Sequence, residues 1–185
     1  MNLPYWLGLF YLLSEVALRF SRRSGGGTQR ADGGSLAVLW ITITVGIISG
    51  IYVTHLAPGF RFPLSPVAAG GTVAVFAGGL ALRWWAILSL RKFFTVDVAI
   101  AADHRLIVRG PYRLMRHPSY TGMVLAFAAL AATFQNWLSF PGVLGPILLA
   151  LAYRIRVEEA ALRAAFGEDY ARYAQTTRRL LPGVY

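Results

Sequence analysis

Residues 36–54 read LAVLWITITVGIISGIYVT and contain no charged side chain. A helix that crosses the hydrocarbon core of a bilayer needs about 20 mostly apolar residues. Four other stretches of similar length are also strongly apolar, namely 3–20, 67–90, 118–134 and 137–153. The pattern predicts an all-α membrane protein, a bundle of about five transmembrane helices.

The last two stretches could be read as one, because residues 118–153 are almost continuously apolar. As a single helix they would extend about 54 Å, whereas the hydrocarbon core is only about 30 Å thick. Two spans that turn near Gln135 and Asn136 fit the bilayer better. We therefore expect the whole chain, 1–185, to form a single membrane domain with five spans.

The composition agrees with a bilayer as the solvent. The chain is 56% hydrophobic and 14% charged, whereas a soluble domain carries about 25% charged residues. The net charge of +10 does not indicate nucleic acid, because the basic residues lie between the apolar stretches. The chain has no cysteine, which excludes thiolate catalysis and cysteine-based metal sites. We expect neither a metal nor a nucleic-acid partner.

The distribution of basic residues predicts the orientation. With five spans, fifteen basic residues fall on the side of the loops after the first and third spans, together with the segment that follows the fifth. The opposite side holds only Arg61. Because basic loops stay in the cytoplasm, we expect the N-terminus outside and the C-terminus in the cytoplasm. Segments 91–122 and 154–185 would then be cytoplasmic, the second as a helical C-terminal cap.

Four short motifs follow one another in the second half of the chain. Residues 110–112 read GPY, 116–122 read RHPSYTG, 158–159 read EE and 166–170 read FGEDY. Each motif is short, and their ordered set carries the specificity. In this order they resemble the isoprenylcysteine carboxyl methyltransferase family, and the resemblance covers roughly residues 80–185.

The resemblance implies an integral multi-pass membrane enzyme whose active site faces the cytoplasm. Such an enzyme transfers a methyl group from the cofactor S-adenosyl-L-methionine to a lipid-like or prenylated acceptor. Carboxyl O-methylation, as in isoprenylcysteine methyl esterification, is the leading interpretation. A lipid amine N-methyltransferase and a non-catalytic membrane lipid-binding scaffold are the alternatives.

The cofactor combines an adenine, a sulfonium and a zwitterionic amino-acid tail, and each needs a different environment. An apolar slot around Leu106 would suit the adenine, and a carboxylate would suit the tail ammonium. A basic group, Arg116 or His117, would suit the tail carboxylate. The candidate cofactor-binding residues are His104, Leu106, Val108, Gly110, Pro111, Tyr112, Arg116, His117, Tyr120, Glu158 and Glu159, with segments 91–122 and 154–185 as the cofactor-binding elements.

The candidate catalytic residues are Arg154, Glu158 and Arg83. A carboxylate acceptor is already ionised at neutral pH, so it needs alignment and removal of water rather than a base. Arg154, Arg83 or Arg91, in that order, could hold one oxygen of that carboxylate, whereas an amine acceptor would need a base such as Glu158. Two structural interpretations compete with these roles. Arg154 and Glu158 could form an ordinary i,i+4 surface pair, and Arg83 could pair with Glu15 inside the bundle.

Some residues are expected to serve structure rather than chemistry. Small residues repeat every fourth position at Gly46 and Gly50 and again at 70, 74 and 78, which predicts two close helix contacts. Tyr170 and Tyr173 would anchor the protein at the membrane interface. Gly167 is expected to end a helix.

Overall fold

The computed structural model describes residues 3–21, 29–30, 34–94, 99–100 and 105–181. It contains five α-helices: α1 Leu3–Ser21, α2 Ser35–Leu56, α3 Pro66–Leu90, α4 Pro118–Thr133 and α5 Ser139–Thr176. A short antiparallel pair joins β1 Gln29–Arg30 to β2 Ala99–Ile100. The expected all-α architecture is confirmed apart from this pair. Among the described residues, α2, α3 and α5 are long and apolar enough to cross a membrane, and α1 and α4 contain shorter apolar helices.

The turn expected between the fourth and fifth apolar stretches is present. Gln135 has a positive φ of 55°, and Asn136 is fully buried beside it. The Asn136 side chain accepts a hydrogen bond from the Leu138 backbone amide at 3.0 Å and donates one to the Ala57 carbonyl at 2.8 Å. These bonds satisfy backbone groups where the helices end, so α4 and α5 fold back on one another instead of continuing as one helix.

Helix α5 is longer than its apolar part. From Ser139 to Phe166, before the break at Gly167, it extends about 42 Å, beyond a hydrocarbon core of about 30 Å. Charged residues begin at Arg154, so the apolar part covers 139–153. Gly167 interrupts the helix with φ 49° and ψ −122°, a conformation that favours glycine. The expected helix end at Gly167 is therefore a break, after which a second helical segment continues to Thr176.

Two close helix contacts hold the bundle together. Helix α3 packs against α4, and α2 packs against α5. A Cβ atom on Gly46 would lie 2.8 Å from the Val143 carbonyl oxygen, and one on Gly50 would lie 2.8 Å from the Phe134 ring. The backbones of α2 and α5 approach this closely only because these positions are glycine, as predicted.

The second predicted contact, at 70, 74 and 78, is wrong. A Cβ atom on Gly70 or Gly78 would have no neighbour within 4 Å. The close approach occurs instead at Gly79, where a Cβ atom would lie 2.7 Å from the Gly122 carbonyl oxygen. The buried side of α3 includes Phe76, Gly79, Leu80 and Arg83, and the repeat at 70, 74 and 78 lies on another side of the same helix.

Helix α1 is attached along a single narrow stripe. Its buried residues, Leu7, Tyr11, Glu15 and Leu18, recur every three or four positions, which places them on one face. This face packs mainly against α4. The large exposed side chains of α1 between Tyr5 and Val16 are apolar, as expected for a helix that faces lipid.

Candidate active site

A cavity lies where one end of the bundle meets the segment before α4 and the charged part of α5. Apolar side chains such as Leu39, Ile43 and Met123 line it. Polar and charged side chains line it as well. Eight of the candidate residues line the cavity: Arg83, Leu106, Tyr112, Arg116, His117, Tyr120, Arg154 and Glu158.

The other candidates are not among the lining residues, or they lie outside the residues that the structure describes. Val108, Gly110, Pro111 and Glu159 are not among the lining residues, although the first three follow Leu106 closely in the chain. His104 lies outside the described residues. The cavity therefore brings together residues from all the predicted motifs, but not every residue of each motif.

The Gly-Pro-Tyr motif forms a short 3₁₀ helix, Gly110–Arg113. Gly110 has φ 59°, and a Cβ atom there would lie 3.2 Å from the Ser89 hydroxyl. The turn buries Tyr112, whose backbone carbonyl accepts a hydrogen bond from the Tyr173 hydroxyl at 2.7 Å. Burial raises the pKa of the Tyr112 hydroxyl well above its ordinary value, so this cavity residue is neutral at physiological pH.

Glu159 is the centre of a buried charge cluster. The Nε atom of Arg116 lies 2.9 Å from its carboxylate and Nη2 of Arg179 lies 2.9 Å away. His117 Nε2 lies 3.4 Å away, and Arg163 adds a longer contact of 3.5 Å. Burial opposes ionisation of Glu159, yet hydrogen bonds from His117 and Arg179 and the charge of Arg116 hold its pKa well below its usual range. These contacts join α5 to the segment before α4 and to the chain after α5.

The chain after α5 also pairs with this segment through its backbone. The amide of Arg116 donates to the Arg178 carbonyl at 2.7 Å, and the amide of His117 donates to the Arg179 carbonyl at 2.9 Å. The Arg116 guanidinium donates to the carbonyl oxygens of Ala174, at 2.8 Å, and Thr177. Arg116 and His117, which the sequence offered as cofactor ligands, therefore have internal partners.

A second cluster, Arg154–Tyr120–Glu158, faces the cavity. The Tyr120 hydroxyl donates to Glu158 at 2.7 Å and accepts from Arg154 Nε at 3.0 Å. Arg154 is 4% exposed, whereas the Glu158 side chain is 31% exposed. Tyr120 thus bridges the two residues, which are not an ordinary surface pair. The His117 ring stacks on Tyr120 with a centroid distance of 5.4 Å.

Comparison with known proteins identifies the family. Residues 72–164 match the family model of the isoprenylcysteine carboxyl methyltransferase (ICMT) family. A probable protein-S-isoprenylcysteine O-methyltransferase of Oryza sativa subsp. indica is 32% identical over 156 residues, which cover 77% of this chain and 81% of that protein. The chain belongs to the ICMT family.

Two further relatives agree. The protein-S-isoprenylcysteine O-methyltransferase of Schizosaccharomyces pombe is 35% identical over 159 residues, 77% of this chain and 66% of that protein. The solved structure of the eukaryotic intramembrane Ras methyltransferase ICMT superposes with a TM-score of 0.59 at 25% identity. It matches 78% of this chain, which spans about half of that longer protein, 52%.

These comparisons confirm the predicted family and, with it, the predicted enzyme class, a methyltransferase. They favour carboxyl methylation over a lipid amine N-methyltransferase or a non-catalytic scaffold. This ICMT family member also has a site residue that the sequence did not reveal. The Ser35 hydroxyl accepts a hydrogen bond from Arg154 Nη1 at 2.9 Å. A serine at the start of an apolar helix is common, so nothing in its local sequence marked it.

Arg83 lies on the cavity wall with its charge already compensated. Its Nε and Nη2 atoms donate to the two Glu15 oxygens at 2.7 and 2.8 Å, and Nη1 donates to the Ser119 hydroxyl at 2.8 Å. The predicted pairing of Glu15 with Arg83 is confirmed. Because a bidentate carboxylate occupies one edge of the guanidinium, Arg83 is poorly suited to hold an acceptor carboxylate.

Proposed function

We propose that this chain methylates the carboxylate of an isoprenylated, lipid-like acceptor and uses S-adenosyl-L-methionine as the methyl donor. The observation that carries the proposal is one cavity lined both by apolar side chains, among them Leu39, Ile43 and Met123, and by the Arg154–Tyr120–Glu158 cluster. A prenylated carboxylate needs both surfaces at once. The relatives named as isoprenylcysteine O-methyltransferases support the same acceptor class.

The residues on the cavity wall fit the proposed cofactor. Leu106 and Tyr112 offer apolar and aromatic surface for an adenine, and Glu158 offers a partly exposed carboxylate for the tail ammonium. We favour Glu158 over Glu159, because the carboxylate of Glu159 already accepts from Arg116 and Arg179. The remaining candidates, His104, Val108, Gly110 and Pro111, stay predictions. When bound, the cofactor supplies an electrophilic methyl group.

Arg154 is the residue that we assign to the acceptor carboxylate. Its guanidinium lies on the cavity wall and is oriented by Tyr120 and Ser35. A planar guanidinium can hold one oxygen of a carboxylate and leave the other free to attack. Low exposure keeps bulk water away, and the loss of water together with fixed alignment accelerates a displacement of this kind. An ionised acceptor needs no general base.

The chemistry of the product tests this assignment. Membranes that contain the enzyme are incubated with a farnesylated cysteine peptide and methyl-tritiated cofactor. A carboxyl methyl ester releases volatile methanol in mild alkali, whereas a methylated amine does not. We expect base-labile, volatile label. Alkali-stable label would support amine methylation instead, and no label with any acceptor would support the scaffold interpretation.

A matched pair of variants tests the role of Arg154. Arg154→Lys keeps the charge but loses the planar fork, so we expect kcat/KM for the peptide to fall at least about tenfold. Arg156→Lys makes the same change at an exposed position two residues away and should leave kcat/KM within about twofold. Equal effects of the two substitutions would contradict the assignment.

A further inference from the structure

Tyr170 is enclosed at the cavity rather than exposed at a membrane interface. Its side chain has no exposed surface, and it is among the residues that line the cavity. The break at Gly167 separates the segment that carries it from the rest of α5. The expectation that Tyr170 is an interface anchor is therefore wrong, because the segment after the break turns this residue inward.

The two tyrosines of this segment differ in what their hydroxyls do. The rings of Tyr170 and Tyr173 meet edge to face at 6.1 Å. The Tyr173 hydroxyl donates to the Tyr112 carbonyl at 2.7 Å. The Tyr170 hydroxyl is buried and has no hydrogen-bond partner among the residues that the structure describes. A buried hydroxyl without a partner is unfavourable and rare in folded proteins, so a ligand in the cavity is the natural partner.

The surroundings of this hydroxyl indicate which ligand group it meets. Burial and the charge of Glu159 raise the pKa of Tyr170, and Arg116 and Glu158 are also close enough to influence it. The hydroxyl is therefore neutral and can donate. In the proposed function Glu158 takes the tail ammonium of the cofactor, and the tail carboxylate is bonded to the same carbon as that ammonium. The carboxylate must then lie close to Glu158, and Glu158 and Tyr170 line the same cavity.

We propose that the Tyr170 hydroxyl donates a hydrogen bond to the carboxylate of the amino-acid tail of S-adenosylmethionine. This inference rests on the proposed function, since it needs that cofactor in this cavity. It assigns the tail carboxylate to a neutral donor, because Arg116 and His117, the basic candidates, are already bonded to Glu159.

Calorimetry on the detergent-purified full chain tests the proposal with two probes. S-Adenosylhomocysteine has the amino-acid tail, and 5′-methylthioadenosine keeps the adenine and ribose but lacks the tail. We expect Tyr170→Phe to weaken S-adenosylhomocysteine binding about tenfold and to leave 5′-methylthioadenosine binding unchanged. The ligand-free melting temperature of Tyr170→Phe should equal or exceed that of the wild type, because the substitution removes only an unpartnered oxygen. Tyr173→Phe, which loses an internal hydrogen bond, should lower it.

Three results would overturn the proposal. They are unchanged binding of S-adenosylhomocysteine by Tyr170→Phe, an equal loss of affinity for both probes, or a lower ligand-free melting temperature, which would reveal an internal partner. A wild-type chain that binds neither probe would instead overturn the proposed function, and this inference with it. The wild-type measurement thus separates the two failures.

Discussion

Glu15 and Arg83 place two opposite charges within the apolar helices of the bundle. Glu15 is 8% exposed and Arg83 is 5% exposed, and the guanidinium contacts both carboxylate oxygens. An ionisable residue at membrane depth is costly unless it is paired or lines a cavity. This rule allowed the pair to be predicted from two isolated charged residues in apolar stretches. The third member, Ser119, could not be predicted, because nothing distinguishes its hydroxyl from those of other serines at helix starts.

The pair makes a prediction for stability. Arg83→Met leaves Glu15 buried without its partner, so we expect the free energy of unfolding to fall by about 3–5 kcal/mol. Glu15→Gln combined with Arg83→Met should recover part of that loss, because no charge remains uncompensated. Thermal unfolding in detergent measures both variants. Arg156→Met, at an exposed site, is the control and should change little.

Additive effects of the two substitutions would contradict this account. A double-mutant cycle isolates the coupling between residues in contact, and coupled residues differ from the sum of the single changes by about 0.5–3 kcal/mol. Suppose that Glu15→Gln lowers the stability of Arg83→Met by the same amount as it lowers that of the wild type. That result would mean that the two side chains act independently.

At the scale of elements, Glu159 connects three parts of the chain that contribute to the site. It belongs to α5, contacts Arg116 and His117 before α4, and contacts Arg179 after α5. The motifs at 116–122 and 158–159 could be found in the sequence, but the different roles of their residues could not be predicted from it. Glu158 and Glu159 are adjacent letters, and only the fold shows that one faces the cavity while the other is enclosed by basic residues.

The charge on Glu159 makes the connection pH-dependent. Its pKa in the folded protein lies below the ordinary value of 4.5, so its contribution to stability is present above about pH 4.5 and is lost as the pH falls below it. We expect the melting temperature of the wild type to fall between pH 5 and pH 3. Glu159→Gln should be less stable at pH 7 and should show a smaller fall over the same range.

Asp169→Asn is the matched control for this prediction. Asp169 pairs with Arg172, and both side chains are well exposed, 68% and 75%. Exposed pairs contribute about 0–1 kcal/mol, so this substitution should change neither the melting temperature at pH 7 nor its fall with pH. A wild-type and a Glu159→Gln protein with parallel pH profiles would count against Glu159 as the titrating group.

At the scale of the whole molecule, hydropathy alone predicted all five helices and the turn at Gln135 and Asn136. The cavity could not be derived in this way, because its parts are distant in the chain. Arg154 meets Ser35 across 119 residues and Tyr120 across 34. Such contacts depend on which helix faces which, and in an apolar bundle most helix faces look alike in sequence. The error at 70, 74 and 78 has the same origin, since small residues suit either lipid or a helix.

The orientation of the bundle remains a prediction, and the absence of cysteine makes it easy to test. Arg61, Arg109 and Arg172 are exposed, so a single cysteine at each position can react with a membrane-impermeant maleimide. If basic segments stay in the cytoplasm, the reagent should label position 61 on intact cells and positions 109 and 172 only after lysis. Labelling of 109 or 172 but not 61 on intact cells would invert the bundle and place the cavity on the outer face. S-Adenosylmethionine inside the cell could then not reach the cavity. The same result would therefore contradict both the predicted orientation and the proposed function.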